Sequence, residues 1–246
     1  MTSVNYLIPD WLAPEGCRAA FTLRTGGVSV APYDSLNVGT HVADKPEAVA
    51  ENRARIAQAL ELPNEPAWLE QVHGADVSHI DQASYVTRAD ASVTHSLQSV
   101  CVIQVADCMP VLFAARDGSA VGAAHAGWRG LASGVLEATV RALAVEPAKL
   151  IAWMGPAIGP EHFEVGAEVR EAFMKSDPNA ADAFVANDRG RWQCDLYLLA
   201  RLRLAAIGIP DVSGGGWSTY ADASRFFSYR RDGQCGRMAA LIWREE

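Results

Sequence analysis

The chain has 246 residues, 29 acidic and 21 basic, for a net charge of −8 at neutral pH, a balance that argues against a nucleic-acid backbone as its partner. That length buries a sizeable core, as one large α/β domain or two small ones. No stretch is long and charge-free enough for a membrane span, and Met1 to Pro9 lacks the basic and apolar regions of a signal peptide. Cys17, Cys101, Cys108, Cys194 and Cys235 are odd in number and form no Cys-x-x-Cys pair, so a reducing, cytoplasmic location is expected.

In chain order, Phe21 to Val28 reads as a strand running into the Gly26-Gly27 turn, with Arg24 near its end. By residue type alone Arg24 is an ordinary surface charge. Asp44, Pro46 and Glu47 make a helix start, as cap, first-turn proline and acid at the positive end, and Val49, Arg53, Ile56 and Leu60 follow on one face. Trp68 to Gly74 reads as a strand closing on glycine, with His73 at its last position. His79 and His95 take no role.

Val100 to Val105 and Pro110 to Ala115 are apolar or β-branched and too short for helices, so both read as strands with Cys108 between them. Arg116 to Ser119 is a turn, and Ala120 to Ala124 is a third strand that delivers His125 at its end. Gly127-Trp-Arg-Gly130 is a glycine-bracketed turn before a helix on which Leu131, Val135, Ala138 and Ala142 recur. A thiol, an imidazole and a guanidinium thus arrive at strand ends, the usual place for a site in α/β proteins. On residue type alone, a buried cysteine and satisfied histidines are the commoner outcome.

Leu150 to Met154 reads as a strand ending in the stiff loop Gly155 to Pro160. Glu164 to Lys175 and Leu196 to Ile207 read as helices around a short strand near Trp192, and Met238 to Trp243 as the last strand. Gly214 to Gly216 lacks the Lys-Ser/Thr ending of a phosphate loop and takes no nucleotide role. With no repeat, low-complexity tract or linker, residues 1–246 read as one domain, a single α/β sandwich with mixed β-sheets.

Gln71-Val-His-Gly74, Ala106-Asp-Cys-Met-Pro-Val111, His125-Ala-Gly-Trp-Arg-Gly130 and Phe226-Phe-Ser-Tyr-Arg-Arg231 resemble, in that order, the motifs of the YfiH family. The resemblance runs from about Phe21 to Trp243. Members are also called laccase-domain proteins, polyphenol oxidases, purine nucleoside phosphorylases and peptidoglycan editing factors. Ser218 departs from the pattern, standing where many members have a cysteine, which puts a thiol role there in doubt.

The resemblance implies a zinc ion held by His73, Cys108 and His125, with copper as the other metal these donors suit. Residue chemistry supports it, because imidazoles and a thiolate in a three-ligand set leave the fourth tetrahedral position open, as a catalytic zinc site requires. Asp107 beside Cys108 disfavours a thiolate unless it points away or a cation lies near; a dication, or His125 and Arg129, would compensate.

The family implies phosphorolysis of adenosine, inosine, guanosine and methylthioadenosine, and deamination of adenosine, so the expected partners are a purine nucleoside and phosphate. Arg24 and Arg129 are the phosphate candidates, since a guanidinium makes paired bonds to it. A second mechanism makes Cys108 a nucleophile and His125 its base, in an amidase that removes L-serine wrongly placed on muramyl peptidoglycan precursors. The implied fold likeness to the cytotoxic necrotizing factor toxins, which are Cys-His deamidases, favours that one. A multicopper oxidase is weaker, because the six histidines form no His-x-His pair. The non-enzyme alternative is a metal- or partner-binding protein whose site is closed by a fourth protein ligand.

Overall fold

Strands β5 (Val100–Val105) and β6 (Met109–Ala115) are buried at every position, the pattern of strands covered on both faces. In the computed structural model, which describes residues 3–81 and 84–245, they lie in different sheets. A four-stranded antiparallel sheet runs β1 (Tyr6–Leu7), β2 (Cys17–Thr22), β13 (Met238–Arg244), β5. A mixed six-stranded sheet runs β12 (Asp211–Gly214), β8 (Leu150–Met154), β6, β7 (Val121–Ala126), β4 (Ala91–Thr94), β3 (Val77–His79), with its two edge pairs parallel. A small antiparallel sheet joins β10 (Phe184–Ala186), β11 (Trp192–Cys194) and β9 (Glu164–Val165).

The two large sheets pack face to face, and strand alternation sorts their side chains into three cores. Cys101, Ile103 and Val105 of β5 meet Leu112 and Ala114 of β6 and Val121 and Ala123 of β7 between the sheets. Val100 and Val102 point the other way, onto Ile56 and Leu60 at the end of α1 (Pro46–Ala59). Met109, Val111 and Phe113 of β6 turn outward to a layer of helices. These are α2 (Trp128–Ala132), α3 (Val135–Leu143), α4 (Ala167–Met174) and α5 (Leu196–Ala206), with a short α6 (Tyr229–Asp232) before β13. The result is an α/β sandwich of helix, sheet, sheet and helix. No helix among the described residues is long and apolar enough to cross a membrane.

Several expectations need correction. The strand from Phe21 stops at Thr22, so Arg24 lies in the following loop. Asp44 does not cap α1: Lys45 holds that position, while Asp44 Oδ2 accepts from Ser29 Oγ at 2.6 Å and Asn37 Nδ2 at 2.9 Å. The helix expected through Leu131 to Ala142 is broken by Gly134 at φ +89°, and α3 buries Val135, Leu136, Thr139, Val140 and Leu143 instead of the expected alanines. Glu164 and Val165 pair with Gln193 and Trp192 as a strand, which delays the helix expected from Glu164 to Ala167.

Trp68 to Gly74 forms no strand beyond the isolated bridge between Ala67 and Cys101. Gln71 explains why. Its side-chain amide donates to Gln104 O and its carbonyl accepts from Gln104 N, both at 2.8 Å, so one side chain satisfies the edge of β5 in place of a backbone ladder.

Candidate metal centre

Cys108 sits at the point where the chain crosses from β5 in one sheet to β6 in the other. His125 is on β7, opposite Pro110 of β6, and so beside that crossover. His73 comes from the irregular loop held on the edge of β5. Donor atoms of His73, Cys108 and His125 all lie within 4.8 Å of one another, and the two imidazole rings meet edge to face at 4.8 Å.

Asp90, fully buried just before β4, organises the cluster. Its Oδ1 accepts from Nδ1 of His125 at 2.8 Å, which leaves Nε2 of that ring for the thiol or a metal. The same carboxylate accepts from three successive backbone N–H groups, of Val72 at 3.1 Å, His73 at 2.9 Å and Gly74 at 2.7 Å. His73 is held with φ +61°, a left-handed conformation that costs a non-glycine residue on the order of 1–3 kcal/mol. The nest of N–H groups around Asp90 offsets that cost and aims the His73 ring at Cys108.

Glycine is required at 127 for space: a Cβ there would lie 2.7 Å from Cys108 Sγ and 3.4 Å from His73 Cδ2.

The electrostatics follow from this packing. Burial alone would raise the Cys108 thiol, but the His125 charge and hydrogen bonds from His125 and His73 bring it down to about 6. Burial alone would lower His125, but the Cys108 thiolate and Asp90 push it up to about 9. Burial likewise opposes Asp90, yet its bonds from His125, Gly74 and Val72 hold it below the usual carboxylate range. Asp107 does not confront the thiolate, because Thr219 Oγ1 donates to its Oδ1 at 2.5 Å and Arg230 N donates to its Oδ2 at 2.8 Å.

His73, Cys108 and His125 open onto a cleft of about 520 Å³ whose walls include Trp128, Ile158, Phe163 and Tyr229. The donor set fits zinc or copper, with Asp90 as the carboxylate behind a ligating histidine. No fourth His, Cys, Asp or Glu joins the group among the described residues, so a metal held by these three donors would keep a position for water or substrate on the side of the cleft.

Residues 18–245 match the family described as multi-copper polyphenol oxidoreductase laccase. The chain belongs to this family. A purine nucleoside phosphorylase from Pseudomonas aeruginosa is 53% identical over 242 residues, covering 98% of this chain and 99% of its own. The purine nucleoside phosphorylase YfiH of Escherichia coli is 51% identical over 238 residues, 96% of this chain and 98% of its own. Among solved structures, a Neisseria meningitidis protein matches with a TM-score of 0.95 at 47% identity, covering 98% of this chain and all of its own. YlmD from Geobacillus stearothermophilus matches with a TM-score of 0.86 at 30% identity, over 98% of this chain and 100% of its own.

Of the arginines expected to bind phosphate, Arg129 lines the cleft with its guanidinium 4.5 Å over Trp128. It stands in the first turn of α2, a helix of only five residues. Arg24 is not among the lining residues. Its guanidinium donates to the carbonyls of Asp34 and Ala223 and lies 4.8 Å over Phe227, which ties two loops together. Ser218 is also absent from the lining, and its hydroxyl accepts from Gly159 N and Ala221 N, both at 3.3 Å.

Sequence reasoning missed Asp90, His41 and Arg237, and gave no role to Tyr229 and Arg230 although both stand in the Phe226 to Arg231 motif; all of these but Asp90 line the cleft. The only local trace of Asp90 is an acid directly before the apolar and small residues of β4. Burial, then the charges of Arg237 and Arg53, lower the His41 pKa.

Asp90→Asn is expected to weaken metal affinity about 10- to 100-fold, since the amide can present the wrong group to His125 Nδ1. Metal titration of the purified variant measures it. Wild-type affinity would mean that the carboxylate only holds the His73 loop.

Proposed function

We propose that this protein is a zinc-dependent phosphorylase of purine nucleosides, acting on adenosine, inosine, guanosine and methylthioadenosine, that also deaminates adenosine. The observation that carries this is the three-donor cluster of His73, Cys108 and His125 opening onto a cleft, with Asp90 fixing the His125 tautomer. The names of the Pseudomonas and Escherichia relatives point to the same class of reaction.

A bound zinc ion supplies Lewis-acid polarisation to an oxygen of phosphate or water. His73, Cys108 and His125 would hold it, and Asp90, by keeping the proton on His125 Nδ1, leaves Nε2 free to ligate it. Trp128, Ile158 and Phe163 give the cleft apolar walls that suit a purine and shed water around it. The guanidinium of Arg129, which lines the cleft and forms no ion pair among the described residues, meets anionic charge. Copper suits the same donors, but one such cluster among the described residues gives a multi-copper centre a single place to form. Small molecules are the proposed partners and the cytoplasm the proposed location.

One observation favours a second mechanism. The donor atoms of Cys108 and His125 lie within 4.8 Å, and their mutual attraction lowers the thiol and raises the imidazole, which without metal favours the thiolate–imidazolium pair that a Cys-His hydrolase acting on a muramyl-serine amide would use.

The test is to incubate zinc-loaded protein with adenosine, with and without inorganic phosphate. Adenine and ribose 1-phosphate are expected only with phosphate, whereas inosine should form in both, because water is then the attacking group. Base release that ignores phosphate would overturn phosphorolysis.

A further inference from the structure

Three arginines line the cleft, Arg129, Arg230 and Arg237, against one carboxylate, Asp107, whose two oxygens are already engaged. In a chain of net charge −8 that is a local reversal of sign. None of the three forms an ion pair among the described residues, unlike Arg231, whose guanidinium is occupied by Asp232 and by the carbonyls of Thr219, Tyr220 and Phe226.

Arg230 and Arg237 are positioned through their backbones, which leaves donors at their tips. The Arg230 N–H binds Asp107, the neighbour of Cys108, so this residue is anchored beside the metal ligands. Its guanidinium rests 5.4 Å over Phe163 and donates from Nη1 to Glu164 O at 3.0 Å; Nε and Nη2 meet no acceptor among the described residues. Arg237 N–H donates to Asn37 Oδ1 at 2.8 Å, and its Nη1 reaches the carbonyls of Cys235 and Gly236. Its Nε and Nη2 are likewise without an acceptor among the described residues. Adjacent Nε and Nη2 donors form the fork that matches two oxygens of one oxyanion.

We propose that Arg230 and Arg237, together with Arg129, form the subsite for the phosphate co-substrate, in place of the pairing of Arg24 with Arg129. The assignment rests on the phosphorolysis reading for its purpose, but not for its existence: three unpaired guanidinium groups with two open forks, lining one cleft, bind a tetrahedral oxyanion whether or not a glycosidic bond is then broken. Phosphate binds beside the metal ligands because the Arg230 backbone is tied to the residue before Cys108. Tyr229, the residue before Arg230, lies under the Arg237 guanidinium at 5.9 Å, which limits how far that side chain swings away.

The test is binding of inorganic phosphate to the zinc-loaded full chain by calorimetry, with zinc content and melting temperature followed in every variant. Arg230→Gln and Arg237→Gln are each expected to weaken phosphate binding about 10- to 100-fold, the effect of one lost charge-assisted pair. Arg230→Lys should fall between, keeping the charge and losing the fork. Arg24→Gln should lower the melting temperature through its lost carbonyl bonds and leave phosphate affinity unchanged. Failure of the native protein to bind phosphate, or native affinity in both glutamine variants, overturns the subsite. Phosphate binding that depends on Arg230 and Arg237 in a protein that never phosphorolyses adenosine upholds the subsite and overturns the proposed reaction.

Discussion

Cys108→Ala is expected to empty the metal site and abolish nucleoside turnover while leaving the protein folded. Two imidazoles alone hold zinc poorly, and the thiolate is the only anionic donor in the set. The fold survives because Cys108 lies on the crossover between sheets and is only half buried. His125→Ala should also lose the metal, at a larger stability cost: the residue is 4% exposed, and its removal strips Asp90 of its one side-chain donor among the described residues. His73→Ala, at an exposed position, should lose metal with the smallest change in melting temperature. Native mass spectrometry and thermal melts on the three variants measure this ordering. Full turnover by metal-free Cys108→Ala protein would sink the zinc mechanism and the thiol mechanism together.

The parts of this site that the sequence disclosed are those where local pattern and chemistry coincide. β5, β6 and β8 are legible because short apolar runs bounded by turn residues have few other uses, and the bounds of β8, Leu150 to Met154, are those its apolar run predicts. Their grouping was not legible. A strand buried on both faces carries no polar alternation to say which sheet it joins, so the sequence sets Cys108 between two strands with no sign that they belong to different layers.

His73 shows the opposite failure. Val72 and Trp68 suggest a strand, but the conformation is set by Asp90, 17 residues further on, whose carboxylate gathers three N–H groups that a strand would have sent to a neighbour. The arginines fail for the same reason. Residue type does not separate Arg24 from Arg230, although Arg230 stands in the Phe226 to Arg231 motif; the Arg24 guanidinium is closed on a backbone carbonyl, whereas Arg230 is anchored by its backbone N–H to Asp107 across 123 residues of chain. Spacing reveals which residues share an element; which of them keep free donors is decided by contacts remote in sequence.

Alkylation of the metal-free protein at pH 7 should modify Cys108 at least tenfold faster than any other cysteine, and bound zinc should suppress it. Burial pushes Cys17 and Cys101 up to about 12 and raises Cys194 and Cys235, so these stay protonated, whereas Cys108 at about 6 is mostly thiolate. The pH dependence has a definite sign. Cys108 lies below its ordinary 9.0, so its contribution to stability is full above pH 9 and is lost as pH falls through about 6. His125 lies above its ordinary 6.5, so its contribution is full below that and is lost as pH rises through about 9. The ion pair therefore supports the metal-free fold between about pH 6 and 9, and the alkylation rate should drop below pH 6. The same experiment separates the two mechanisms, because chelation exposes the thiolate that one of them needs and removes the metal that the other needs. Under the zinc mechanism the chelated protein is highly alkylatable and inactive on adenosine, and zinc restores turnover. Release of serine from a muramyl-serine amide by chelated protein, abolished by alkylating Cys108, would establish the hydrolase instead.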